Sequence, residues 1–175
     1  MKPQSTELAK LFLAQARHML AAHYLPRITP CLRMFSDKEI WWRPNAASNS
    51  VGNLVLHLEG NVRQWIISGL GGAPDRRERD REFAERGPIP RRSLLARLRK
   101  TVTEACHVLE QLSPDTLSRS YRIQSFRVTG LAAISDVIGH FAYHSGQIIF
   151  VTKLKRGKDL GFTRLPGEEA KRSGA

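Results

Sequence analysis

The chain has 175 residues, of which 41% are hydrophobic and 25% are charged, and its formal net charge at pH 7 is +12. This length fits one compact domain with a sizeable core, and the composition excludes a disordered, fibrous or multidomain protein. The positive charge favours anionic partners, although net charge bears on solubility and association and does not decide the fold. We therefore predict one domain over residues 1–162 and a polar tail over residues 163–175.

The cysteine content and the N-terminus indicate a cellular location. Cys31 and Cys106 lie far apart and form no CxxC pair, so neither a disulfide framework nor a thiolate metal site is predicted. The most apolar N-terminal stretch, LFLAQA, is too short and too polar for a signal peptide or a membrane span. We expect a soluble cytoplasmic protein without membrane contacts.

The first predicted helix occupies residues 7–35, where apolar side chains recur at steps of three and four. Pro26 and Pro30 should kink or interrupt it, because proline lacks an amide hydrogen and clashes with the preceding turn. Ser36 and Glu39 then have the spacing of a capping box, which predicts a short helical turn followed by a loop.

A second helix is predicted from about Val51 to Ser68. Asn49 and Ser50 are candidate N-cap residues, and a run of glycines from Gly69 should end the helix. The following segment, residues 75–86 (DRRERDREFAER), alternates in charge and is predicted to be a solvated loop or an exposed turn.

The C-terminal half predicts two further helices. One begins after Pro90 and runs to about Leu112, and the last runs from about Leu131 to Arg156, with Thr129 as its N-cap and Gly157 as its stop. Between them, the β-branched and aromatic residues 121–128 (YRIQSFRV) predict a small hairpin or an extended connection. Four long helices predict an all-α, four-helix bundle.

Three of the six histidines have a spacing that suits metal binding. His140 and His144 are four residues apart on the last helix, which places their Cβ atoms about 5–6 Å apart on the face shared with Val137 and Ile148. His57 lies on an inward stripe of the second helix, and three imidazoles from two packed helices form a metal site with an open fourth position. The alternative is that each histidine is a core residue satisfied by a hydrogen bond.

The other histidine patterns do not support a second kind of site. The HExxH zinc-protease motif is not met, because Phe141 follows His140, so peptidase chemistry is disfavoured. His18, His23 and His107 lack a partner at helical spacing on an inward face, and surface or capping roles are predicted for them.

Several side chains near the histidines have more than one interpretation. The amides of Asn53, Asn61 and Gln147 lie one turn from a histidine, so they either orient a ligand, bind substrate, or simply pack between helices. The three tryptophans are Trp41, Trp42 and Trp65. They either line an apolar pocket or belong to the core, and a core position is favoured for Trp65.

The basic residues do not indicate a nucleic-acid partner. Acids interleave with the arginines of residues 75–86, and the lysines at the end of the last helix complement its dipole. No helix-turn-helix, zinc-finger or RNA-binding motif is present. A solvated surface or a contact with an anionic substrate is therefore favoured.

The segments SVGNLVLHLEGNVRQWI, GHFAYHSGQIIFVTK and WWRPNAASN resemble the DinB-like family of four-helix metalloproteins. The resemblance covers the chain from about Leu8 to about Phe162. It implies that His57, His140 and His144 bind a divalent metal ion. Zinc or nickel is favoured, although three imidazoles alone do not select one metal.

The same superfamily includes thiol transferases that use low-molecular-weight thiols such as bacillithiol or mycothiol. The resemblance therefore implies a metal-dependent transferase or hydrolase with a small-molecule substrate, in which the metal lowers the pKa of a bound thiol. No catalytic side chain is assigned. The alternatives are a non-catalytic structural or sensory metal protein and a basic nucleic-acid-associated protein. A homodimer that pairs through the first and third helices is expected.

Overall fold

A computed structural model of the chain describes residues 3–162, and it is an all-α, four-helix bundle with one small hairpin. The helices are α1 (Pro3–His18), α2 (Leu25–Met34), α3 (Val51–Val62), α4 (Arg79–Ala84), α5 (Arg91–Gln111) and α6 (Gly130–Arg156). The antiparallel strands are β1 (Ser120–Ile123) and β2 (Phe126–Thr129). The predicted tail over residues 163–175 lies outside the described residues.

The first arm of the bundle consists of α1 and α2, joined by a π-helical turn over Met19–Tyr24. The helix is interrupted near Pro26 as predicted, since the π turn ends at Tyr24 and α2 begins at Leu25. Pro30 does not interrupt the helix, because α2 continues through it to Met34. Phe35 takes an extended conformation and ends α2 at the predicted place.

The second arm is α3, which begins at a reciprocal cap. The Ser50 hydroxyl accepts a hydrogen bond from the Asn53 amide at 3.1 Å, and the Asn53 side-chain oxygen accepts one from the Ser50 amide at 3.1 Å. This arrangement satisfies amide groups that the first turn of a helix leaves free. The predicted helix continues past Val62 as π-helical turns over Arg63–Leu70.

The last arm, α6, begins and ends as predicted. The Thr129 hydroxyl accepts a hydrogen bond from the Ala132 amide at 3.2 Å, and Gly157 has the left-handed φ of 61° that commonly ends a helix. The predicted hairpin directly precedes α6, and a two-residue turn connects Ile123 to Phe126.

The core lies where α3 packs against both α5 and α6. Leu58, Leu98 and Phe141, one from each of these helices, have no exposed surface. This packing brings the histidines of α3 and α6 to a common interior face. Within residues 3–162, no helix is long and apolar enough to cross a membrane.

The charged segment over residues 75–86 differs from its prediction as a solvated loop. Part of it forms α4, which packs against α3, and the side chains of Arg77 and Glu82 are only 4% and 11% exposed. The alternating charges favoured solvent for every residue of the segment, but the structure buries one ion pair of the segment beside His57.

Candidate metal centre

His57, His140 and His144 form one cluster between α3 and α6. Each offers one ring nitrogen, and these nitrogens all lie within 4.8 Å of one another. Their ring centroids are 4.4–5.1 Å apart, and the rings are steeply inclined to each other. His57 and His144 are 5% and 8% exposed. Among the described residues, this is the one group of three or more histidine, cysteine or acidic side chains close enough to share a metal ion.

An ion pair from the charged segment orients the His57 ring. Glu82 Oε2 lies 2.8 Å from His57 Nδ1, and Arg77 donates two hydrogen bonds to the Glu82 carboxylate at 2.7 and 2.9 Å. Arg77 also lies 3.1 Å from His57 Nδ1, but that nitrogen cannot donate to Glu82 and accept from Arg77 together. The shorter contact with an ionised carboxylate places the proton on Nδ1, which leaves Nε2 of His57 with its lone pair.

The backbone of the charged segment is tied directly to α3. The side-chain amide of Asn53 donates to the carbonyl oxygens of Glu82 and Glu85, each at 2.9 Å. At Gly60, a Cβ atom would lie 1.9 Å from Glu82 Oε1, so the absence of a side chain there lets the carboxylate approach the helix. Asn53, whose role the sequence left open, is therefore a buried tether that positions Glu82.

The two histidines of α6 have different surroundings. His144 Nδ1 lies 2.6 Å from Gln147 Oε1, an acceptor that fixes the proton on Nδ1 and leaves Nε2 as the free nitrogen. His140 Nε2 is buried and has no hydrogen-bond partner. A buried nitrogen without a partner is unfavourable, and such atoms are rare in folded proteins.

The surroundings of the cluster favour neutral imidazoles on α6 and an ionised carboxylate at Glu82. Burial, reinforced by the neighbouring His144 and His57, lowers the pKa of His140 to about 4, and burial also lowers the pKa of His144. Burial alone would raise the pKa of Glu82, but hydrogen bonds from Arg77 and His57 outweigh it and lower that pKa. At neutral pH, His140 and His144 are therefore uncharged while Glu82 is ionised.

A small cavity of about 250 Å³ adjoins the cluster on the side of the hairpin. Its lining residues are Asn61, Trp65, Phe126, Val128, Asp136 and His140. Trp65 is thus both a core side chain, only 8% exposed, and part of the cavity wall.

The other tryptophans and histidines lie outside the histidine cluster. Trp41 packs against Gly52 of α3 and donates to the Ile89 carbonyl oxygen at 3.2 Å, and Lys155 lies over the Trp42 ring. The three remaining histidines are outside the cluster, as predicted. They are His18, His23 and His107.

Sequence reasoning did not identify Glu82 and Arg77. Glu82 lies 25 residues from His57 along the chain, so helical spacing could not connect the two. Glu82 and Arg77 also belong to a segment whose charge pattern is typical of solvent exposure. Gly60, a glycine within a helix one turn after His57, was the available indication that another group approaches this face closely.

Comparisons with known proteins agree with the fold. A DinB-like protein from Bacillus cereus is 16% identical over 78% of this chain and 87% of its own, with a TM-score of 0.60. A DinB-like protein from Bacillus subtilis is 21% identical over 86% and 94% of the two chains, with a TM-score of 0.59. A conserved protein from Enterococcus faecalis is 20% identical over 90% and 99%, with a TM-score of 0.64. No curated protein matches the chain significantly.

A family profile described as "Protein of unknown function (DUF1572)" matches residues 7–168. The match spans the bundle, the charged segment and all three histidines of the cluster. The chain therefore belongs to the DUF1572 family, which is a DinB-like family.

Proposed function

We propose that His57, His140 and His144 bind one divalent metal ion, with zinc or nickel favoured, and that the protein is a metal-dependent enzyme that uses a low-molecular-weight thiol. The observation that carries the proposal is the convergence of three ring nitrogens, one of them buried and without a partner. Nitrogens bound to one tetrahedral zinc ion are about 3.4 Å apart. The cluster, at 4.8 Å or less, needs only small side-chain adjustments to reach that geometry.

The surrounding residues fit a metal site. The chain Arg77–Glu82–His57 and the contact between Gln147 and His144 hold the proton on Nδ1 of two ligands, which is how ligand histidines are commonly oriented. A divalent cation bound by three imidazoles supplies Lewis acidity that lowers the pKa of a coordinated thiol. Trp65 and Phe126 supply apolar wall to the adjoining cavity.

Elemental analysis of protein purified without a histidine tag tests the metal. We expect about one zinc or nickel per chain, lost in the His140→Ala, His144→Ala double variant and kept in His107→Ala, a histidine change on the exposed face of α5. Full metal content in the double variant would contradict the proposal. Thiol transfer to a chromogenic electrophile, screened over small thiols, tests the activity, and bound metal without turnover on any thiol would favour a non-catalytic metal protein.

The outer faces of α1 and α6 support a homodimer. The apolar stripe of α5, which was expected to pair, is buried in the core instead. Large apolar side chains that are 57–67% exposed lie on α1 and α6, and they are Leu8, Leu11, Tyr143, Phe150 and Leu154. We therefore expect pairing through these two helices, because exposed apolar patches on a soluble protein commonly mark an interface.

A further inference from the structure

Two hydrogen-bond acceptors in the lining of the cavity beside the histidine cluster have no partner among the described residues. Asn61 Oδ1 is buried and lacks a hydrogen-bond partner, and the exposed carboxylate of Asp136 has no ion-pair partner among residues 3–162. Asn61 lies one turn after His57 on α3, and Asp136 lies one turn before His140 on α6. Both acceptors are therefore held at the same side of the cluster by the helices that carry the histidines.

These acceptors restrict what can bind. An amide oxygen and a carboxylate oxygen only accept hydrogen bonds, so a ligand placed between them has to donate. A buried acceptor that stays unsatisfied is unfavourable, and a charged donor satisfies it more strongly than a neutral one. The lining contains no lysine or arginine, although the chain as a whole has a net charge of +12. This cavity is thus a local exception to the basic surface.

The apolar walls restrict the ligand further. The rings of Trp65 and Phe126 lie 6.2 Å apart at an angle of 36°, and Val128 adds an aliphatic contact. Aromatic rings favour flat apolar groups and also attract cations at their faces. The acceptor oxygens and the apolar walls together suit a protonated amine that carries a short apolar group.

We propose that this cavity is a substrate subsite that binds the ammonium group of an amine-bearing substrate between Asn61 and Asp136. The inference rests on the proposed function for its placement, because an amine held here puts the remainder of the molecule next to His140 and the metal position. The substrates are then amine-bearing thiols, in which the ammonium group occupies the cavity and the sulfur faces the histidines.

The subsite can be tested without a thiol and without metal. Phenethylamine and 2-phenylethanol share a phenyl ring and differ in an ammonium against a hydroxyl group, and ligand-observed NMR titration on chelator-treated protein measures their affinities. We expect phenethylamine to bind at least about tenfold more tightly, a difference of about 1.4 kcal/mol. Asp136→Asn and Asn61→Leu should each remove most of that preference. Asp159→Asn, an equal change of charge at an exposed pair with Lys153, should leave it intact.

The possible results separate this inference from the proposed function. Equal affinities for the two probes, no binding of either, or a preference that survives Asp136→Asn would each overturn the subsite, even if the histidines bind metal. A preference lost in Asp136→Asn and Asn61→Leu would support the subsite, even if elemental analysis finds no metal. Thermal unfolding of each variant confirms that the change in binding does not come from a loss of fold.

Discussion

Replacement of Gly60 by alanine tests how the charged segment is held against α3. A methyl group there would lie 1.9 Å from Glu82 Oε1 and 2.9 Å from Arg77 Nε. Ordinary van der Waals contact begins at 3.4 Å, so Oε1 has to retreat by about 1.5 Å. The hydrogen bonds of 2.7–2.9 Å that join Arg77, Glu82 and His57 do not survive a displacement of that size.

Two opposing effects determine how much Gly60→Ala changes the free energy of unfolding. Alanine is favoured over glycine in a helix by about 1 kcal/mol. Against this, the Arg77 side chain is 4% exposed, and separating a buried ion pair so that one charge stays buried costs about 3–5 kcal/mol. Gly60→Ala should therefore destabilise the fold by about 2–4 kcal/mol. With a urea dependence of about 2 kcal/mol per M, the unfolding midpoint falls by about 1–2 M.

Urea unfolding of a double-mutant cycle provides the assay. In a Glu82→Ala background the carboxylate is absent and no longer holds Arg77 Nε near Gly60, so that side chain can move aside. Gly60→Ala should then lose its penalty and stabilise the protein by up to about 1 kcal/mol. This change of sign distinguishes a specific clash with Glu82 from general damage to α3. A specific clash with Glu82 is refuted if Gly60→Ala is as stable as the parent, or if it destabilises both backgrounds equally.

Three further outcomes are expected. Glu82→Gln should weaken zinc binding about 10- to 100-fold, because His57 loses a charged acceptor; competition with a chromogenic chelator measures this, and an unchanged affinity would exclude that role. Phe150→Asp should shift the protein from dimer to monomer in light scattering, and a monomeric parent at all concentrations would disprove pairing. Hydrogen bonds from Arg156 and Ser36 lower the pKa of Glu39 from 4.5 to about 2, so this group stabilises the fold above about pH 4.5 and the contribution disappears as the pH falls towards 2. Urea stability over that range should therefore depend less on pH in Glu39→Gln, whereas parallel curves for the two proteins would contradict the role of Glu39.

Features that depend on neighbours within one turn were predictable from the sequence. The caps at Ser50 and Thr129, the stop at Gly157 and the common face of His140 and His144 all follow from contacts within four residues. The hairpin was predictable because its β-branched and aromatic residues stand between two clear helices. Interactions within one turn were thus sufficient to predict the helix ends and the shared face of the two histidines.

The surroundings of the histidines were not predictable in the same way. Glu82 reaches His57 because Gly60 leaves room for its carboxylate and Asn53 binds the backbone of its segment. In the sequence, a glycine and an asparagine on a helix can equally serve packing alone, so neither residue identifies a site. The cavity depends on the hairpin, since Phe126 reaches Trp65 only through the packing of distant segments. Such contacts follow from tertiary packing, which residue patterns do not encode locally.

The shortness of α4 has a consequence for hydrogen exchange. Its six residues are too few to persist alone in water, so its order depends on the ties to Asn53 and His57. Opening of this segment removes Glu82 from His57, and therefore any ligand that prefers the oriented imidazole must, by thermodynamic reciprocity, hold the segment closed. Amide protection over residues 79–84 then serves as a gauge of site occupancy, readable by mass spectrometry on the unmodified protein.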